Sequence, residues 1–166
     1  MRNIFNMGAS EAVCSTKLAL TFVLIGFLIH IIGFGAPYWN DTFAYHGGLW
    51  QFCPLDHCSD VDFDTENLGF GNWFQAVRTF ECFGLIGSIA CVVFLLIFLC
   101  VGSCSSSRCM AILNIILALG TGVVILIAII IFASESSHLG WAFGLATAGG
   151  VCFAMAGIFL IISICR

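Results

Sequence analysis

The chain has 166 residues, 61% of them hydrophobic and only 8% charged, with a mean hydropathy of +1.11. A soluble domain carries about 25% charged residues, so a water-facing surface of ordinary polarity is excluded. The formal charge of −4 comes from 5 basic and 9 acidic residues with no basic block, and no nucleic-acid partner is expected.

Four apolar runs follow one another at 18–36, 80–101, 110–133 and 141–164. Each is near the roughly 20 residues that cross about 30 Å of hydrocarbon. Lipid offers no partner to backbone polar groups, so each run is predicted to be helical. The length suits one four-span domain rather than a string of modules. A cleavable leader is the rival reading of the first run. The long polar segment before Leu18 and the lack of a small-x-small cleavage site before Pro37 speak against it. Trp39 and Trp141 fall at predicted membrane interfaces. With four crossings, Arg2, Lys17, Arg108 and Arg166 lie on one side and only Arg78 on the other. The basic side is expected to be cytosolic, which puts both termini there.

The connections are unequal. Residues 102–109 form a tight cytosolic turn and 134–140 a short outer turn, whereas 37–79 is long enough to be an ectodomain. There Tyr38, Trp39, Phe43 and Tyr45 precede Gly47-Gly48, followed by Leu49, Trp50 and Phe52. Aromatic and turn residues in this alternation predict short antiparallel strands and hairpin turns. The expectation is a small sheet on the outer helix ends, with residues 67–79 turning helical before the second span. Asn40-Asp41-Thr42 is a glycosylation acceptor on that side.

Cys53 and Cys58 are the only two of the ten cysteines in the outer loop. An oxidising compartment favours a disulfide between them across a hairpin. Free thiols, or zinc held with His46 and His57, are the alternatives. Cys14, Cys104, Cys109 and Cys165, with Cys100 just inside the boundary, sit where S-palmitoylation occurs, or else remain reduced thiols. Cys82, Cys91 and Cys152 read as small apolar helix residues. Asp60, Asp62, Asp64 and Glu66 alternate with other residues, which on a strand would align four carboxylates on one face. Such a row is a solvated edge, a cation-attracting surface or a calcium loop. For calcium, Asn67 stands at a later ligand position and the diagnostic Gly is missing.

In the fourth run Ala142, Ala146, Gly150 and Ala154 recur at four-residue spacing, with Gly144, Ala148, Gly149, Ala156 and Gly157 beside them. Small residues let helices approach closely, within one bundle or across a dimer face. His30 is the one ionisable residue deep in a span, and Glu81 lies near the outer boundary of the second. An intramembrane His is a proton-relay candidate, or a neutral ring satisfied by a neighbour. The spans carry no acid pair, no His-Cys metal set and no Ser-His constellation, so no enzyme, cofactor or resident metal is expected.

Trp39, then Gly48-Leu49-Trp50, then Cys53 and Cys58, then Arg78 at the loop's end resemble the claudin superfamily. The order and the four-span frame agree over nearly the whole chain. The resemblance implies a left-handed all-α four-helix transmembrane bundle bearing a small extracellular antiparallel β-sheet. Several features depart from claudins themselves. Only four residues separate the cysteines, the second outer loop is short, and no scaffold-binding tail follows Cys165-Arg166. With Leu139-Gly140-Trp141-Ala142-Phe143, these look more like the peripheral myelin, epithelial membrane and lens-fibre membrane protein branch. The channel gamma-subunit branch shares the loop signature. Two functions are therefore expected: a non-enzymatic tetraspan of the plasma membrane acting at cell contacts with copies or relatives of itself, or an auxiliary subunit of a larger channel or receptor. Membrane lipid is a partner in both.

Overall fold

The computed structural model describes residues 2–54, 57–61, 71–100 and 108–165. Four helices carry most of these residues: α1 (Arg2–Gly35), α2 (Asn72–Cys100), α3 (Arg108–Glu135) and α4 (Trp141–Cys165). All four, α1 over Cys14–Gly35, are long and apolar enough to cross a membrane. The helices extend beyond the apolar runs at several ends. The expected helical turn before the second run is the first part of α2 itself, beginning at Asn72. Arg108 and Cys109 are the first residues of α3 rather than part of the preceding turn. Helix α1 stops at Gly35 because Pro37 disfavours helical geometry in the residue before it.

The helices pack through small residues. Helix α4 lies between α1 and α3. A Cβ on Gly33 of α1 would fall 2.7 Å from Ala146 N of α4, and one on Gly122 of α3 would fall 2.9 Å from Ala154 N. Ala142, Ala146, Gly149, Gly150, Ala156 and Gly157 are buried within the chain's own bundle. Most of the small residues of α4 are thus occupied by intramolecular packing, while Gly144 and Ala148 are exposed. The outward faces are apolar, with Leu28, Ile32, Phe83, Ile86, Ile116 and Ile130 all exposed. That is the inverse of a soluble bundle and matches lipid as solvent.

At the end where α1 and α3 finish and α2 and α4 begin stands a four-stranded antiparallel sheet. Its strands are β1 (Asn40–Asp41), β2 (Tyr45–Gly47), β3 (Gln51–Pro54) and β4 (Ser59–Asp60), paired in sequence order. The register sets Asn40 opposite Gly47, His46 opposite Cys53, and Gln51 opposite Asp60. The β1 edge is covered by the α3–α4 turn, through an antiparallel bridge from Asn40 to Leu139. Asp41 N–H also donates to His138 O at 3.3 Å. On the other edge, Ser59 and Asp60 are exposed.

Candidate functional site, the root of the sheet

The sheet is fastened to the helix ends by the residues that sequence had singled out. Helix C-termini leave carbonyls without intrahelical partners, and two tryptophans use those of α1. Trp39 Nε1–H donates to Gly33 O at 2.7 Å, and Trp50 Nε1–H donates to Phe34 O at 3.0 Å. Trp39 is fully buried. Its indole meets Phe132 of α3 and Phe143 of α4 edge-on, with centroids 5.1 and 5.9 Å away. One side chain therefore ties three helices to the first strand.

Gly48 permits the approach. A Cβ there would lie 2.6 Å from both Ala36 O and Pro37 Cα, which are backbone atoms that cannot swing aside. Leu49, next in the chain, is fully buried.

Arg78 of α2 is 4% exposed. Its Nε–H donates to Leu49 O at 2.6 Å and an Nη2–H to Val61 O at 3.0 Å. Leu49 immediately precedes Trp50 and β3, and Val61 immediately follows β4, so one guanidinium clamps both feet of the β3–β4 hairpin. Its Cζ also lies 5.2 Å from the Trp50 ring centroid and 5.0 Å from that of Phe74, within cation–π range. Only a planar fork with several donors makes two carbonyl bonds while stacking between two rings. At the far end of the hairpin Cys53 and Cys58 are joined by a disulfide of 2.01 Å. The hairpin is thus held at its feet by α2 and closed near its tip by sulfur.

About one helical turn below this root lies a buried histidine–carboxyl contact between α1 and α2. His30 Nε2 of α1 and Glu81 Oε2 of α2 are 2.9 Å apart and both side chains are fully buried. His30 Nδ1 and Glu81 Oε1 have no hydrogen-bond partner among the described residues. Helix α4 approaches α1 closely at His30 through Gly149, and Gly84 of α2 lies at ordinary contact distance from the ring. A Cβ on Gly149 of α4 would lie 2.8 Å from His30 Cβ, and one on Gly84 of α2 would lie 3.6 Å from His30 Cε1. The neighbour that meets His30 is therefore a carboxyl group, and Glu81, near the start of the second apolar run, is fully buried. Sequence reasoning named each residue but did not join them. Counting from the helix ends would not have paired them: His30 lies five positions inside the end of α1 and Glu81 nine inside the start of α2.

The other candidates fall apart from this cluster. Asn40 is half-buried in β1, and its Nδ2–H donates to Ser136 Oγ at 3.0 Å. Asn40 Oδ1 is buried and has no hydrogen-bond partner among the described residues. Asp60 is exposed on β4, the last strand of the sheet among the described residues, where Gln51 Nε2–H donates to its Oδ1 at 3.4 Å. Asp62, Asp64 and Glu66 lie outside the described residues, as does Cys104. Cys14, Cys109 and Cys165, like Cys100, are exposed toward the helix ends opposite the sheet. His46 lies beside the disulfide and is no part of the clamp, and His57 is exposed. No protein-family model and no curated protein matches the chain.

Proposed function

We propose that the protein is a claudin-like, non-enzymatic tetraspan of the plasma membrane, with both termini cytosolic. Its extracellular sheet would act in cell–cell contact or membrane organisation, with copies or relatives of itself as partners. The observation that carries this reading is the seating of the sheet. Arg78, Trp39 and Trp50 fix it to all four helices, while Ser59 and Asp60 of β4 and Phe43 between β1 and β2 are exposed. A rigidly mounted surface lowers the ordering cost of association, and exposed residues on it offer contacts to a partner. The motif resemblance to claudins and the lens and myelin proteins supports the same reading.

The auxiliary-subunit reading draws on a different feature. The outward faces of α1 and α2, with Leu28, Ile32, Phe83 and Ile86 exposed, fit either lipid or the helices of a larger pore-forming protein. The two readings separate by expressing tagged protein in contact-forming cells, followed by mild-detergent purification. Enrichment only where two expressing cells touch, with self-association, is expected. Uniform surface distribution with stoichiometric recovery of a larger channel or receptor would replace the first reading by the second.

A further inference from the structure

His46, Cys53 and Cys58 form a cluster that the clamp does not use. His46 stands opposite Cys53 in the β2–β3 register. One ligand atom from each of the three residues lies within 4.8 Å of the others. The imidazole is already oriented. Its Nδ1 is 3.0 Å from Pro37 O. A carbonyl oxygen only accepts, so Nδ1 carries the proton and Nε2 the lone pair. The ring is also stacked on Tyr38, with centroids 4.3 Å apart and planes 13° apart. A histidine with one N–H on a backbone carbonyl and a lone pair on the other nitrogen has the arrangement of metal-bound histidines. A disulfide sulfur is a poor metal ligand, whereas a thiolate is a strong one.

We propose that the dithiol form of the β3–β4 hairpin binds one zinc ion through Cys53 Sγ, Cys58 Sγ and His46 Nε2, so that metal and disulfide are alternative closures of the same hairpin. Two equivalents of a monothiol, R–SH, break the S–S bond, becoming R–S–S–R and leaving two protein thiols. Zinc then displaces one proton from each thiol, and His46 binds as neutral imidazole. Reverse exchange with R–S–S–R restores the disulfide, releases zinc and yields two R–S⁻ groups that take up two protons. Tetrahedral zinc with Zn–S about 2.3 Å and Zn–N about 2.0 Å sets ligand atoms about 3.5–3.8 Å apart. The two sulfurs and a ring nitrogen of His46 already lie within 4.8 Å of one another, so small side-chain movements reach that spacing. Two sulfurs and one imidazole form a donor set suited to zinc, and three protein ligands leave one position for water. The metal form would shape the hairpin while its cysteines are still unoxidised. The inference does not depend on the proposed function.

The test uses full-length protein in detergent with the other eight of its ten cysteines replaced by alanine or serine. The protein is reduced with a phosphine, exchanged into reductant-free buffer and titrated with Co²⁺. One equivalent should bind, with tetrahedral visible bands and sulfur-to-cobalt charge transfer that Zn²⁺ abolishes. The oxidised protein and the Cys53→Ser/Cys58→Ser variant should show neither. His46→Phe keeps a ring on Tyr38 but offers no nitrogen. It should weaken binding by more than the roughly 10–100-fold that loss of an outer-shell partner costs. Unaltered binding by His46→Phe, or no binding by the reduced protein, would overturn the proposal. Because reduction loosens the hairpin, melting is measured as well. Zn²⁺ should raise the melting temperature of the reduced protein and not of the oxidised one; no rise overturns the proposal.

Discussion

His30 and Glu81 meet at 2.9 Å across α1 and α2, 51 residues apart in sequence and with both side chains fully buried. Each alone would be an uncompensated polar group in an apolar bundle. Removing one partner of a buried pair costs about 3–5 kcal/mol, whereas replacing both with apolar residues is often neutral. His30→Ala and Glu81→Ala are each expected to lower the melting temperature in detergent markedly. His30→Leu/Glu81→Leu should recover most of the loss. A double variant no better than the worse single one would show that the pair is not coupled.

Arg78 is the second point of dependence. Arg78→Lys keeps the charge but loses the fork that reaches Leu49 O and Val61 O together. Arg78→Lys and Arg78→Ala should both release the hairpin feet. Limited proteolysis should cut first within residues 48–61, and Arg78→Lys should recover less than half of the protection. Full protection by Lys would assign the role to charge alone.

The Cys53–Cys58 bridge closes a loop with a sequence separation of 5. Closing so short a loop contributes on the order of 2 kcal/mol by chain entropy. Non-reducing peptide mapping should recover the two cysteines linked, and Cys53→Ser should reduce surface delivery. Free alkylation of both in the folded protein would contradict the bridge.

Much of this frame is legible in the sequence because the signals are local and repetitive. Four apolar runs give four helices. Aromatic and glycine alternation gives the strands. Two cysteines set apart from the rest give the disulfide. The contacts that assemble the root are not local. Arg78 bonds to backbone carbonyls, which every residue possesses, so nothing in the identity of Leu49 or Val61 announces the clamp. Pairing His30 with Glu81 requires knowing that α1 and α2 meet at the same depth. The Asn40–Leu139 bridge joins segments that neither periodicity nor composition relates. Gly149 is conspicuous as a small residue, but its part in the close approach at His30 appears only once α4 is set against α1.

The proposed cytosolic placement of both termini rests on Arg2, Lys17, Arg108 and Arg166 falling on one side of four crossings. Tags at Met1 and Arg166 should be shielded from antibody in intact cells and reactive after permeabilisation. A tag near Asp56 should be accessible throughout. Labelling of either terminus without permeabilisation would invalidate the four-span topology.

The acidic row separates functional classes. Asp60 is exposed on β4, and exposed charges are screened within about 8 Å at physiological salt. Only charges lining a confined path would alter ion selectivity. Replacing Asp60, Asp62 and Asp64 with Asn and Glu66 with Gln is therefore expected to leave folding and surface delivery intact. Substitution of an exposed residue such as Asp60 stays within about 0.5 kcal/mol. Cation preference across a cell layer at physiological salt should also be unchanged, as befits a solvated edge. A fall in that preference, larger at low salt, would instead place the row along a cation path between cells. Unchanged layer conductance with altered gating of a co-purifying channel would instead favour the auxiliary-subunit reading. Measuring both conductances on the same variant, with surface protein quantified alongside, distinguishes the three outcomes without reference to which partner the sheet engages.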